Sequence, residues 1–305
     1  MLLRARRIVV LALSSVALAL GCSTSGGEEA TVEITIPPYE VPLGAELVRC
    51  HEMAMPSDED IDVVRLTSRF SAGMHHVHVY TSARGATGAP EVTYDCPQPV
   101  SFEDWHLLVA VQMEGLDWAL PEGTALRVKA GQSLLVQTHW LNTGAGGPQA
   151  EVARGGVTLG LARPGSVTRR AAAIVGQNLD IDVPPHTSGR VEGECALPGQ
   201  GHLLAAMGHY HLHGRRFEAW IQPEGEPPAA FYESEASPEP PWVAYDDLRF
   251  GEGARLGWSC DYDNNLDTPL ATGPLASAQE HCSLFAFHTL DQGDATFLPC
   301  VIAPE

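Results

Sequence analysis

Short runs of β-branched residues, or of apolar residues alternating with polar ones, recur along most of this chain. They cover residues 32–36, 63–68, 74–80, 107–112, 133–141, 156–161, 203–213, 216–221 and 283–288. Turns rich in Gly, Pro, Asp and Asn separate them, which is the signature of consecutive strands. Beyond the first 21 residues almost no stretch carries the 3.6-residue period of an amphipathic helix. The pattern predicts an all-β protein built as β-sandwiches.

The start of the chain reads differently. Three arginines (Arg4, Arg6, Arg7) precede an apolar run over residues 8–20, too short to span a bilayer but suited to a secretory signal. Residues 18–22, ending in Gly21-Cys22, resemble a bacterial lipoprotein box, with Ala19 where a leucine is usual. Residues 1–21 are therefore expected to be a signal peptide. Residues 22–31 would be a polar, Gly-rich tether with Cys22 lipidated, which places the protein in the bacterial cell envelope. A Pro-Gly pair at 164–165 suggests a boundary between two units, residues 32–164 and 165–305. The acidic, Pro-rich segment 222–241 reads as a surface loop.

Charge narrows the possible partners. The formal net charge of −20 repels nucleic-acid backbones, and it disfavours docking on anionic lipid by charge alone. The carboxylates at 58–60 and 246–247 read as solvated turns. No Gly-x-Ser-x-Gly elbow, phosphate-binding loop or dinucleotide fingerprint is present. His51-Glu52 begins a zincin-like motif but lacks its second histidine.

Export also sets the cysteine chemistry. Without Cys22, six remain: Cys50, Cys96, Cys195, Cys260, Cys282 and Cys300. An even number in an oxidising compartment points to disulfides. Six cysteines allow fifteen pairings, and position alone suggests one bridge in the first half and two in the second.

The candidate chemistry lies in the histidines. Of thirteen in the chain, about half fall in three short segments, His75-His76 with His78, His139, and His209-Tyr-His211 with His213, while His281 precedes Cys282. Alternate residues of a strand share a face, so His-x-His on a strand presents two imidazoles to one ion. Neighbours such as His75 and His76 should point to opposite faces unless a strand end or a bulge intervenes. Imidazole-rich sites suit zinc, copper, iron or nickel.

The segments Phe70-Ser-Ala-Gly-Met-His75-His76-Val-His-Val-Tyr, Val136-Gln137-Thr-His139-Trp, His209-Tyr-His211-Leu-His-Gly214 and Glu280-His281-Cys282-Ser-Leu-Phe285 occur in that order. Together they resemble the ligand segments of the copper type II, ascorbate-dependent monooxygenases, the family of the peptidylglycine α-hydroxylating and dopamine β-monooxygenases. The likeness runs from about residue 47 to residue 300.

The resemblance implies two tandem jelly-roll-like sandwiches, each binding one copper, facing each other across a wet cleft. His75, His76 and His139 would hold an electron-supplying copper. His209, His211 and the residue at 281 would hold the copper that activates oxygen. It further implies the bridges Cys50–Cys96, Cys260–Cys282 and Cys195–Cys300. The implied activity is hydroxylation of a C–H bond in a small molecule with O2 and a donor, ascorbate or another.

Three positions depart from the family pattern. His281 stands where the family has a methionine ligand. Met207 stands where the peptide-amidating members carry an arginine that grips the substrate carboxylate, and Phe285 replaces a tyrosine of the substrate pocket. The expected substrate is therefore apolar, with Met207, Phe285 and the family-matching Gln137 near it. Met207 also shares a strand face with His209 and His211, as core packing or as a sulfur ligand. The second function consistent with these residues is a copper-binding lipoprotein without turnover. The sequence does not fix the oligomeric state.

Overall fold

The computed structural model describes residues 30–86, 91–96, 100–112, 115–145, 147, 149–235 and 240–304. The signal peptide, Cys22 and nearly all of the expected tether lie outside the described residues. The described chain is all-β, with no helix and with sheets packed as sandwiches. Accordingly, no helix among these residues is long and apolar enough to cross a membrane.

Each expected strand is present, most with ends shifted by a few residues. The one over 203–213 stops early: the strand is Gly201–His209, and the chain turns through 210–213 before Gly214–Gln222 begins. His211 is thus not a strand residue. Strands that the alternation did not reveal include Glu46–Ala54, Arg169–Asn178, Thr187–Ala196, Val243–Phe250 and Arg255–Asn264. Ala229–Ser234 is also a strand, inside the segment expected to be a loop. Its pairing with Gly214–Gln222 overrides a composition that reads as a turn.

Three sheets position the site. A five-stranded sheet runs in the order Val92–Asp95, Glu46–Ala54, Ser133–Leu141, Met74–Ser82, Trp105–Val111. A four-stranded sheet is formed by Thr187–Ala196, Arg255–Asn264, Gly214–Gln222 and Ala229–Ser234. The largest, ten-stranded sheet takes strands from both halves of the sequence. Residues 162–168, where the boundary was expected, form the turn between Gly155–Leu161 and Arg169–Asn178. Arg169–Asn178 then pairs in parallel with Thr124–Val128, so the sheet continues across that point.

Two apolar cores fill the layers. One contains Val63, Leu66, Val77, Val79, Leu134, Val136 and Trp140 from the first half, and Met207, Phe285 and Phe287 from the second. The other gathers Ile174, Leu203, Phe217, Leu256, Trp258 and Leu284. The strands Ser133–Leu141 and Met74–Ser82 are buried on both faces. Val77, Val79, Val136 and Trp140 enter the first core, so the opposite face must carry His76, His78, Gln137 and His139.

The disulfides are Cys50–Cys96, Cys195–Cys300 and Cys260–Cys282. These are the three pairings that the family resemblance implies. Three bridges indicate an oxidising, extracellular-type environment.

Trp258 locks the second core to the last candidate ligand segment. It is fully buried, and its Nε1–H donates to the carbonyl of Cys282 at 3.2 Å. Gly193 and Gly176 leave room for its ring, since a Cβ on Gly193 would lie 2.2 Å from Trp258 Cζ2. Gly193→Ala is therefore expected to cost roughly 1–3 kcal/mol by overpacking, measured from the chemical unfolding midpoint. Unchanged stability would mean that Trp258 is not packed in this way.

Candidate metal centre

A β-bulge settles the orientation of the adjacent histidines. Against Ser133–Leu141, His139 pairs with His76 but Trp140 pairs with Met74, leaving His75 as the extra residue. The bulge re-aims His75 to the side that already carries His76. The turn before it is pinned by Gly73, at φ 83°, where a Cβ would press on the Leu141 carbonyl at 2.9 Å. Trp140 Nε1–H donates to Ala72 O at 3.2 Å from the other side.

The second half supplies its histidines from strand ends. His209 closes Gly201–His209, opposite Ser283, while His211 lies in the following turn and His281 directly precedes Cys282–Leu290. Glu280 organises that turn. Its carboxylate is fully buried and accepts the backbone N–H groups of His211 and His213, both at 2.7 Å. Burial pushes its carboxyl up to about 8, against the pull of these amides. Tyr262 donates to the His281 carbonyl at 2.6 Å, and Cys260–Cys282 holds the next residue.

Seven histidines from both halves meet in one cluster. Ring centroids lie 5.0 Å apart for His76–His139, 4.9 Å for His75–His139 and 4.4 Å for His76–His78. On the other side, His209–His281 and His211–His281 are separated by 5.1 and 4.5 Å. Across the seam, His75 lies 5.4 Å from His209 and 5.2 Å from His211, and His76 lies 4.9 Å from His209. The wet cleft expected between the two sets is therefore absent here, and the imidazoles touch. The gap beside them, lined by Gln137, Gln177 and Phe285 among others, is about 20 Å3, room for a single water.

Two groups of three bring their ligand nitrogens within 4.8 Å of one another: His75, His76 and His139, and His75, His209 and His211. The first is the set expected for the electron-supplying copper. The second contains His75 in the place expected for His281. His281 packs against both His209 and His211 but does not belong to that tight trio.

The donor set suits a metal ion. His75 Nε2, both nitrogens of His76 and His281 Nδ1 are buried without a hydrogen-bond partner. Each such orphan costs about 1–3 kcal/mol, which an ion would offset. Burial, reinforced by repulsion among neighbouring imidazoles, holds His75, His76, His209 and His281 well below the ordinary histidine range. His78 and His211 are pushed down to about 3. All six are neutral at physiological pH, the form that binds metal.

Outer partners orient the rings. His209 Nδ1–H donates to Gln112 Oε1 at 2.8 Å, and His211 Nδ1–H donates to the Gln279 carbonyl at 2.9 Å, so Nε2 carries the lone pair in both. His139 Nε2–H donates to Glu46 Oε1 at 2.7 Å, and the Ala276 amide donates to that oxygen at 2.6 Å. Burial pushes the Glu46 carboxyl up, but these bonds outweigh it and hold the carboxyl below the usual range. A carboxylate on the outer nitrogen of a histidine is a common support for a metal ligand. Sequence reading missed Glu46, Gln112 and Glu280. Only Glu280 had a visible signal, its adjacency to His281.

The remaining candidates separate cleanly. Phe285 and Gln137 line the small gap, whereas Met207 is 1% exposed, faces Phe285 across the strand pair and belongs to the apolar core. His213 lies in the turn with its Nε2 3.1 Å from the Ser277 carbonyl. His51 is a structural histidine whose Nδ1 meets Thr93 Oγ1 at 2.9 Å. Asp60 and Asp62 are ion-paired with Arg127.

No family model matches the chain, and no curated protein matches it. Solved structures match weakly. One is described as the crystal structure of PBCV-1 VP54 fitted into a cryo-EM reconstruction of the virophage Sputnik. It is 7% identical, with 87% of this chain and 96% of that chain covered and a TM-score of 0.23. Another is the structure of infectious bursal disease virus Gx strain, 9% identical, covering 87% of this chain and 73% of that one at a TM-score of 0.18. At these scores neither bears on function.

Two outcomes are expected from this geometry. Removing the Glu46 charge by Glu46→Gln should weaken copper binding by about 10–100-fold in a chelator competition, with the fold intact. Unaltered affinity would show that Glu46 does not support a ligand. The second concerns acid. Below the ordinary value of 6.5, the unfolded chain takes up a proton at each of the six depressed histidines while the folded chain does not. Metal-free stability should therefore fall as pH drops below 6.5, by up to about 1.4 kcal/mol per pH unit for each histidine. Glu280, raised from 4.5 to about 8, works in the opposite sense between those values and offsets about one of the six. Urea midpoints at descending pH test this, and a flat profile would contradict it.

Proposed function

We propose that this protein is an exported, lipid-anchored copper-dependent monooxygenase of the bacterial cell envelope. It would hydroxylate a C–H bond of a small, largely apolar molecule using O2 and an electron donor. The observation that supports the reading is the convergence of His75, His76, His139, His209, His211 and His281 into one buried imidazole cluster. These six are the residues that the copper-family resemblance implies as ligands. The three disulfides match the same resemblance and give it independent support.

Copper supplies reversible one-electron chemistry and activation of O2, which zinc does not. The chain supplies the rest. Glu46, Gln112 and the Gln279 carbonyl fix ring orientation, and Phe285 with Gln137 walls the space beside the cluster. Burial excludes bulk water, which protects reactive species from side reactions. The hydrocarbon ring of Phe285 and the core position of Met207 offer no counter-charge for a carboxylate, hence the apolar substrate.

The second reading is copper binding without turnover, which two observations favour. The gap of about 20 Å3 admits no organic substrate unless the halves part. In addition, imidazole at His281 replaces a thioether, a softer donor that favours Cu(I).

The test is copper loading of the mature, disulfide-intact protein followed by reductant-driven O2 uptake with apolar candidate substrates. The monooxygenase reading expects uptake above a free-copper control and hydroxylated product, with His281→Met increasing the rate. Stable copper binding with no uptake in either protein would select the second reading. Failure to retain copper would reject both.

A further inference from the structure

The two three-histidine groups have a member in common. His75 contributes a ligand nitrogen to the trio with His76 and His139 and also to the trio with His209 and His211. Its ring lies 4.9 and 5.3 Å from His139 and His76, and 5.2 and 5.4 Å from His211 and His209. The bulge puts it there, since a regular strand would have sent it to the opposite face. It is also the most exposed of the seven rings, at 9%, and so the one nearest solvent.

We propose that His75 is a ligand common to two copper ions held side by side, so that the cluster is a single two-ion centre rather than two remote sites. This rests on the copper reading above and departs from the arrangement of one isolated copper per sandwich. Imidazole has two ring nitrogens on different edges, and a neutral ring becomes a two-ended ligand when its remaining N–H proton is released to solvent. One edge would then serve the ion held with His76 and His139, and the other the ion held with His209 and His211. His281, packed on the latter pair, is placed to complete that second set.

Charge supports the pairing. Two cations at close range need nearby negative charge, and the cluster has a carboxylate beside it. Glu46, held below the usual carboxyl range, accepts from His139. It is largely withdrawn from solvent, so its field is poorly screened.

The experiment is electron paramagnetic resonance on the wild-type, disulfide-intact protein given one and then two equivalents of Cu(II), with bound copper counted after desalting. A shared ligand predicts two coppers per chain. At full loading the integrated intensity should fall clearly short of two independent spins, and a half-field signal should appear. His75→Ala should weaken both binding steps, each by at least about tenfold, whereas His76→Ala should weaken chiefly one. Two retained coppers with full, uncoupled intensity would overturn the shared ligand and leave the copper reading standing. So would a single copper per chain. No retained copper would overturn both. Because the wild-type spectrum decides the matter, the test survives a His75→Ala protein that does not fold.

Discussion

The rest of the structure is arranged around one constraint: seven imidazoles share a buried seam between two β-layers, and the six with depressed pKa are neutral there at physiological pH. Burial removes the water that would stabilise imidazolium, and each ring that took a proton would repel its neighbours. Neutral rings keep their lone pairs, but several of those lone pairs have no partner. A fold does not ordinarily leave buried polar atoms in this condition. An ion in the seam would account for them.

The scaffold reaches this arrangement with ordinary means. The five-stranded sheet offers one apolar face to a conventional core and one histidine face to the seam. The ten-stranded sheet, drawn from both halves, brings His209 and the strand after His281 against it. Polar contacts that cross the seam include Gln112 to His209, and Glu46, which accepts from His139 and from the Ala276 amide. Each ties a candidate ligand of one half to the other half, so the cluster and the closure of the two halves are coupled. Opening them far enough for a substrate would break these bonds together.

Much of this was legible in the sequence, for identifiable reasons. Strands such as Ser133–Leu141 and Gly155–Leu161 announce themselves by β-branched or alternating residues between turn signals. Arg169–Asn178 and Thr187–Ala196 do not, because alanine, glycine and charged residues there take strand geometry from their partners. The ligand histidines were visible as clusters, yet His75 was readable only as an exception to alternation, and the bulge that excuses it arises from a register shift against Trp140. The adjoining of the two sets, the role of Glu46 and the Gln112 contact depend on residues far apart in sequence. No local pattern carries that information.

The central claim is that the histidines of both halves form one buried cluster in which His75, His76, His78, His209, His211 and His281 are neutral. Nitrogen-15 imidazole correlation spectra of the metal-free, disulfide-intact protein at about pH 5.5, well below the ordinary histidine value, test it directly. The account predicts neutral signatures for His75, His76, His78, His209, His211 and His281, with the proton on Nδ1 in His209 and His211. Imidazolium signatures at these residues, titrating as exposed histidines do, would mean that the rings are solvated and apart, and would contradict it.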